Sequence, residues 1–186
     1  MSISLRKSES INLTRQEPGL KRILVGLGWE LLPSSPLDLD SSVFIISGNN
    51  KVISDEYFVF YNNLKSPDGA VQHTGDNRTG LGDGDDEVIL ANLDLVDSQV
   101  SELFFLVSVH DGVERKHTFG MLQKAYIRLY DMDAKREVAR FNLEDDHPKA
   151  TEVIFGKLIR INGDWKFLAD GTGTNIGLQG YVDIYT

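Results

Sequence analysis

Apolar residues recur at every second position along much of this chain. In RILVGLGWEL, Ile23, Val25, Leu27 and Trp29 fall on one side, with Arg22, Leu24, Gly26 and Gly28 on the other. VILANLDL groups Ile89, Ala91, Leu93 and Leu95; AYIRLYDM sets Ile127 and Leu129 against Tyr126, Arg128 and Tyr130; EVARFNL sets Ala139, Phe141 and Leu143 against Val138, Arg140 and Asn142. Successive side chains of a strand point to opposite faces, so these segments are predicted to be half-buried antiparallel strands. Four further runs are apolar throughout: SVFIIS (42–47), YFVFY (57–61), LFFLVSV (103–109) and VIFGKLIRI (153–161). Their β-branched and aromatic content predicts central strands. Turn signals lie between the runs, at 17–19, 48–50, 66–69, 110–112 and 162–164. Helical periodicity is weak, and HTFGMLQKAY (117–126) predicts one or two helical turns leading into the next strand. Roughly ten closely spaced strands predict an all-β fold, an antiparallel two-sheet β-sandwich with minor short helices. No linker or internal repeat divides the chain, so one domain is expected over residues 1–186.

Composition narrows the chemistry. With 19 basic and 28 acidic residues the net charge is -9, which repels nucleic acid and anionic lipid. The absence of cysteine excludes disulfides, thiolate catalysis and zinc–sulfur or iron–sulfur sites on this chain. No segment reaches the roughly 18 apolar residues of a membrane span, and the first ten residues lack the apolar run of a signal peptide. A soluble, cytoplasmic protein is the expectation.

One segment interrupts the apolar pattern. HTGDNRTGLGDGDDEVIL (73–90) holds Asp76, Asp83, Asp85, Asp86 and Glu87 among glycines, against one arginine, immediately before a core strand. It is not an EF-hand: counted from Asp76, the third position is Arg78 and the sixth Leu81. GDGDDEV (82–88) fits one calcium β-roll repeat, but a roll needs stacked copies. Clustered carboxylates with glycines that let carbonyls turn inward suit a hard cation, and calcium takes about six to eight oxygen ligands. A solvated acidic loop is the alternative. Asp38 and Asp40, two apart at the start of a predicted strand, share one face, and Asn62 and Asn63 end another strand, so three segments could meet at one edge. Asp83, Asp85, Asp86 and Glu87 are too close in sequence to bind one ion equally. This predicts two adjacent calcium positions with a bridging carboxylate, closed by Asp76 and by Asp38 or Asp40. Asp145 and Asp146, in contrast, read as a solvated loop.

The ordered series GLGWE, DLDSSVF, FVFYNNL, SPDG, HTGDNRTGLGDGDDE, VSVHDG, AYIRLYD, EVARFNL and WKF resembles the TerD-type tellurium-resistance and stress-response family, from SISL to about Gly180. The resemblance implies a calcium-binding sandwich broadly like a C2 domain. It implies a metal loop of Asp76, Asn77, Asp83, Asp85, Asp86 and Glu87, with Asp38, Asp40, Asn62 and Asn63 as second segments. The chain departs from the pattern at Glu30, where the family has Asp, at KSES (7–10) and at WKFLADGTG (165–173).

No G-x-S-x-G, H-E-x-x-H or P-loop pattern occurs. His110 and Asp111 end an apolar strand, a structural or outer-sphere setting, and His73 is placed to hydrogen-bond a carboxylate of the loop. GTGTNIG (171–177) is expected to open no helix. The favoured function is a non-enzymatic calcium-binding stress module acting through other stress-response proteins, with the inner membrane surface as a further docking place. The runners-up are a magnesium- or manganese-dependent hydrolase or phosphotransferase, and a small-molecule or nucleotide binder.

Overall fold

The computed structural model describes residues 3–4, 10–12, 21–31, 37–75, 84–143 and 147–186. Twelve strands among them form two six-stranded sheets. The first sheet runs β1 (Ile3–Ser4), β10 (Arg136–Asn142), β9 (Leu122–Asp131), β3 (Arg22–Leu31), β7 (Glu87–Asn92), β6 (Val71–His73). The second runs β2 (Ser10–Asn12), β12 (Asp164–Thr174), β11 (Glu152–Ile161), β8 (Val100–Val109), β4 (Leu39–Ser47), β5 (Phe58–Val59). Neighbours are antiparallel except β1 and β10, which pair in parallel. The fold is the all-β two-sheet sandwich that the alternation predicts.

Most faces also follow the alternation; Leu95, grouped with Ile89 and Ala91, lies past the end of β7 and is 54% exposed, and Val138, set opposite Ala139, is buried at a register shift of β10. Ile23, Val25, Leu27 and Trp29 are buried, and so are Ile89, Ala91, Ile127, Leu129, Ala139 and Phe141. The LFFLVSV and VIFGKLIRI runs lie in β8 and β11, inside the second sheet, as expected of segments apolar on both faces. YFVFY does not form a central strand. Only Phe58 and Val59 pair, at the sheet edge, after a short 3-10 turn over Asp55–Tyr57. Its aromatic content serves lateral stacking instead: the Phe58 ring lies 4.2 Å from Phe44 and 4.5 Å from Phe60. The 117–126 segment makes one 3-10 turn, Phe119–Met121, and passes directly into β9.

GTGTNIG does lead into a helix, contrary to expectation. After β12 the chain forms a helix over Gly177–Tyr185, which lies on the outer face of the second sheet. Tyr181 sits 5.9 Å from Phe104, and Tyr185 lies 5.0 Å from Phe104 and 5.2 Å from Phe44. A nine-residue helix containing two glycines gains little from propensity, so this tertiary packing holds it.

A β-bulge bends β11 between Ile154 and Gly156, shifting register against both neighbours. A Cβ at Gly156 would overlap the Leu168 carbonyl oxygen and lie 2.8 Å from the Phe167 ring. Backbone cannot give way as a side-chain tip can, so Gly156→Ala should lower stability by about 1–3 kcal/mol, read from the urea midpoint.

Candidate metal centre

The starts of β4 and β7 and the end of β8 meet at one end of the sandwich. His110, one residue past β8, donates its backbone N–H to the Asp38 carbonyl at 2.9 Å, and Ser41 of β4 reaches Glu87 of β7. Alternation along β4 then divides the side chains: Asp38 and Asp40 face one way and Ser41 the other.

On the outer side, His110 Nδ1 lies 2.8 Å from Asp40 Oδ2. One ligand atom from each of Asp38, Asp40 and His110 lies within 4.8 Å of the others. Two oxygens on opposite sides of a calcium ion, each about 2.3–2.6 Å from it, are separated by about that span. Asp40 is only 4% exposed. Burial pushes its carboxyl up to about 7; the bond with His110 opposes this in part, while the charges of Glu87 and Asp38 add to it. For His110, burial acts downward, but the bond to Asp40 and the charges of Asp40, Asp111 and Asp38 outweigh it and leave the imidazole raised.

On the inner side, Glu87 is 1% exposed. Its Oε2 accepts hydrogen bonds from Ser41 N at 2.7 Å and Ser41 Oγ at 2.8 Å, with His73 Nε2 at 3.3 Å. Gly75 N–H donates to His73 Nδ1 at 3.1 Å, which leaves the proton that faces Glu87 on Nε2. Oε1 of Glu87 is buried and accepts no hydrogen bond among the described residues. A buried carboxylate oxygen without a donor is costly, and a cation is one way to offset it.

Asp85 and Asp86 go elsewhere. Asp86 Oδ2 accepts from the Trp29 backbone N–H at 2.9 Å, and burial, with Asp85 and Glu87 beside it, raises its carboxyl despite that bond. Asp85 lies over Gly26 of β3, where both its oxygens receive Arg128 (2.7–3.1 Å) and Oδ1 also receives the Tyr126 hydroxyl at 3.0 Å. Arg128 is raised chiefly by that bond, and Tyr126 is pushed up to about 12 by burial and by Asp85. Asn63 Nδ2 closes its own turn, donating to the carbonyls of Glu56 and Phe58, and Asn62 is exposed. Glu30 pairs with Lys124 at 3.1 Å on the surface. Asp76, Asn77 and Asp83 lie outside the described residues, as do Asp145 and Asp146.

The structure thus brings together Asp38, Asp40 and Glu87, which the sequence singled out. It adds His110 and Ser41 to them. In sequence, His110 carried a structural or outer-sphere setting at the end of an apolar strand with its partner unnamed, and Ser41 gave no signal beyond its place next to Asp40.

The TerD domain model matches residues 1–185. The chain belongs to the TerD family. The tellurium resistance protein TerD of Serratia marcescens is 47% identical over 180 residues, 96% of this chain and 94% of the relative. General stress protein 16U of Bacillus subtilis is 40% identical over 96% of this chain and 94% of its own. A crystal structure of a homologue of telluride resistance protein (TerD) from Streptomyces coelicolor A3(2) superposes with a TM-score of 0.73 at 22% identity, covering 87% of this chain and 94% of that one. The last likeness bears on the fold alone. As a TerD-family member the chain is a tellurium-resistance and stress protein in type. Among its described residues, no helix is long and apolar enough to cross a membrane.

Proposed function

We propose that this chain is a non-enzymatic calcium-binding module of the stress response, cytoplasmic, which acts by docking on protein partners when its acidic end is neutralised. The observation that carries this reading is the buried Glu87 carboxylate, whose Oε1 accepts no hydrogen bond among the described residues, close enough for its charge to act on Asp40, which clusters with Asp38 and His110 on the other side of β4. Neither Lys nor Arg pairs with Asp40 or Glu87 among the described residues. Calcium is a fitting cation because it accepts many oxygens in flexible geometry, whereas magnesium demands a near-octahedral shell and retains waters. Asp38 and Asp40 would hold one ion from the outer side and Glu87 one from the inner side. Asp86 and the loop residues Asp76, Asn77 and Asp83 are candidates to complete the two shells. His110 and His73 would orient the carboxylates rather than bind, since calcium prefers oxygen.

Titration calorimetry with calcium, and with magnesium in competition, tests the reading. Calcium should bind in the presence of excess magnesium, and Glu87→Gln and Asp40→Asn should each weaken it by tenfold or more, about 1.4 kcal/mol. A metal must displace the proton that Asp40 holds, so binding should release protons below about pH 7 and progressively fewer above it. The release is read by repeating the titration in buffers of different ionisation enthalpy. Wild-type affinity in both variants would falsify the assignment, and manganese or magnesium binding in preference to calcium would favour the metal-dependent hydrolase instead.

A further inference from the structure

A row of polar side chains crosses the second sheet beside the C-terminal helix. Register places Asp40 of β4 opposite Ser108 of β8, and Ser108 opposite Glu152 of β11. All three are buried, at 4%, 2% and 1% exposure. They line a cavity of about 550 Å³ between the sheet, the helix and the segment bearing Phe58 and Phe60. Small-molecule sites commonly span about 300–1,000 Å³.

The protein's own groups satisfy this row incompletely. Ser108 Oγ is out of contact with water and makes no hydrogen bond among the described residues, although a hydroxyl offers one donor and two acceptor sites. Glu152 uses one oxygen: its Oε2 accepts from the Ile176 backbone N–H at 3.0 Å, just before the helix, and from Thr174 Oγ1 at 3.1 Å. Oε1 accepts none among the described residues, and no Lys or Arg pairs with Glu152 there. Further acids, Asp55, Asp111 and Glu114, stand around the cavity, with His110 as the base among its described lining residues. The remaining wall is apolar, Phe58, Leu178 and Val182 among it.

Acids set in an apolar wall repel phosphates and nucleotides and attract a cation with a hydrocarbon body. Neighbouring strands are about 4.8 Å apart, so Asp40 and Glu152, two strands apart, are separated by about 10 Å along the row. That is too far for one metal ion to bridge, since its ligands lie within about 2.6 Å of it. It suits a short chain with a charge at each end. We propose that this cavity binds a small aliphatic diamine, one ammonium at Asp40 and the other at Glu152. The methylene chain then lies against Phe58 and Leu178. Asp40 also belongs to the proposed calcium centre, so diamine and calcium would compete there; Glu152 does not, which allows the two sites to be tested apart.

Putrescine titrated into the full-length protein, with and without calcium, is the test, followed by calorimetry and by amide shifts in NMR spectra. Saturable binding at millimolar concentrations or below is expected, with shifts at Ser108, Glu152 and the first turn of the helix. Glu152→Gln should weaken putrescine by about tenfold and leave calcium affinity unchanged. n-Butylamine, with one charge, should bind more weakly by a similar factor. The n-butylamine comparison needs only the wild-type chain, which keeps the test decisive should Glu152→Gln fail to fold. The proposal is overturned by any of three results. These are no saturation at tens of millimolar, equal binding in the variant or the amine comparison, or calcium alone shifting Ser108 and Glu152 while putrescine is excluded.

Discussion

Chelating calcium should lower the melting temperature of this protein by about 5–10 °C, and calcium should restore it more effectively than magnesium. An ion that binds only the native state adds RT ln(1 + [L]/Kd), about 2.7 kcal/mol at a hundredfold excess over Kd. For a domain of this length each kcal/mol moves the midpoint by about 2–4 °C. The source of the effect is local. Without a cation, burial pushes the Asp40 carboxyl up to about 7, and the charges of Glu87 and Asp38 add to it. The sign of the pH dependence follows. Asp40 holds its proton more tightly folded than unfolded, and so does His110. The contribution of Asp40 is therefore fully present at low pH and is lost as pH rises through about 7, and that of His110 is lost above the ordinary imidazole range. Chelated protein should thus lose stability across that window, whereas calcium-loaded protein should lose less, because the ion replaces the proton. Melting curves with and without chelator at two pH values measure both effects, and superimposable curves would count against a filled structural site.

Arg128→Met should destabilise the fold by about 2–3 kcal/mol while leaving calcium affinity within about twofold of wild type. The Asp85 side chain is 6% exposed and Arg128 24% exposed, so the loss is set below the roughly 3–5 kcal/mol of a fully buried pair. Without the guanidinium, Asp85 retains the Tyr126 hydroxyl, which cannot balance a charge. Gly26→Ala should act in the same direction, since a Cβ there would overlap the Asp85 carboxylate that Arg128 holds in place. Urea denaturation and calcium titration of the same two variants separate the roles. If either variant loses calcium as steeply as Glu87→Gln, Asp85 belongs to the metal set and not to the outer face of the first sheet.

Asp85, Asp86 and Glu87 are consecutive and chemically alike, and as a string they form one acidic patch. In the folded chain Glu87 begins β7 and points into the sandwich, Asp86 caps a main-chain N–H of β3, and Asp85 turns over Gly26 toward Arg128. Alternation governs side-chain direction only within a strand, and two of the three residues precede it. The histidines divide in the same way. His73 lies beside the acidic loop in sequence and bonds Glu87, whereas His110 is 70 residues from Asp40 and bonds it at 2.8 Å.

The sequence by itself determined most of the strands and their buried faces, the two-sheet sandwich and the family, because burial of one face imposes a period of two that survives in any context. It also determined that carboxylates gather near the starts of β4 and β7, since both sets are written next to the strands that carry them. Only the tertiary structure decided which of those acids meet. Asp40 reaches His110 because β4 pairs with β8, and Glu87 reaches Ser41 because the two sheets face each other. The C-terminal helix likewise depended on tertiary contact: nine residues with poor propensity hold together because Phe44 and Phe104, far away in the chain, offer Tyr181 and Tyr185 a surface. Local patterning is a property of neighbouring residues, but partner choice is a property of pairing register, which no single segment contains.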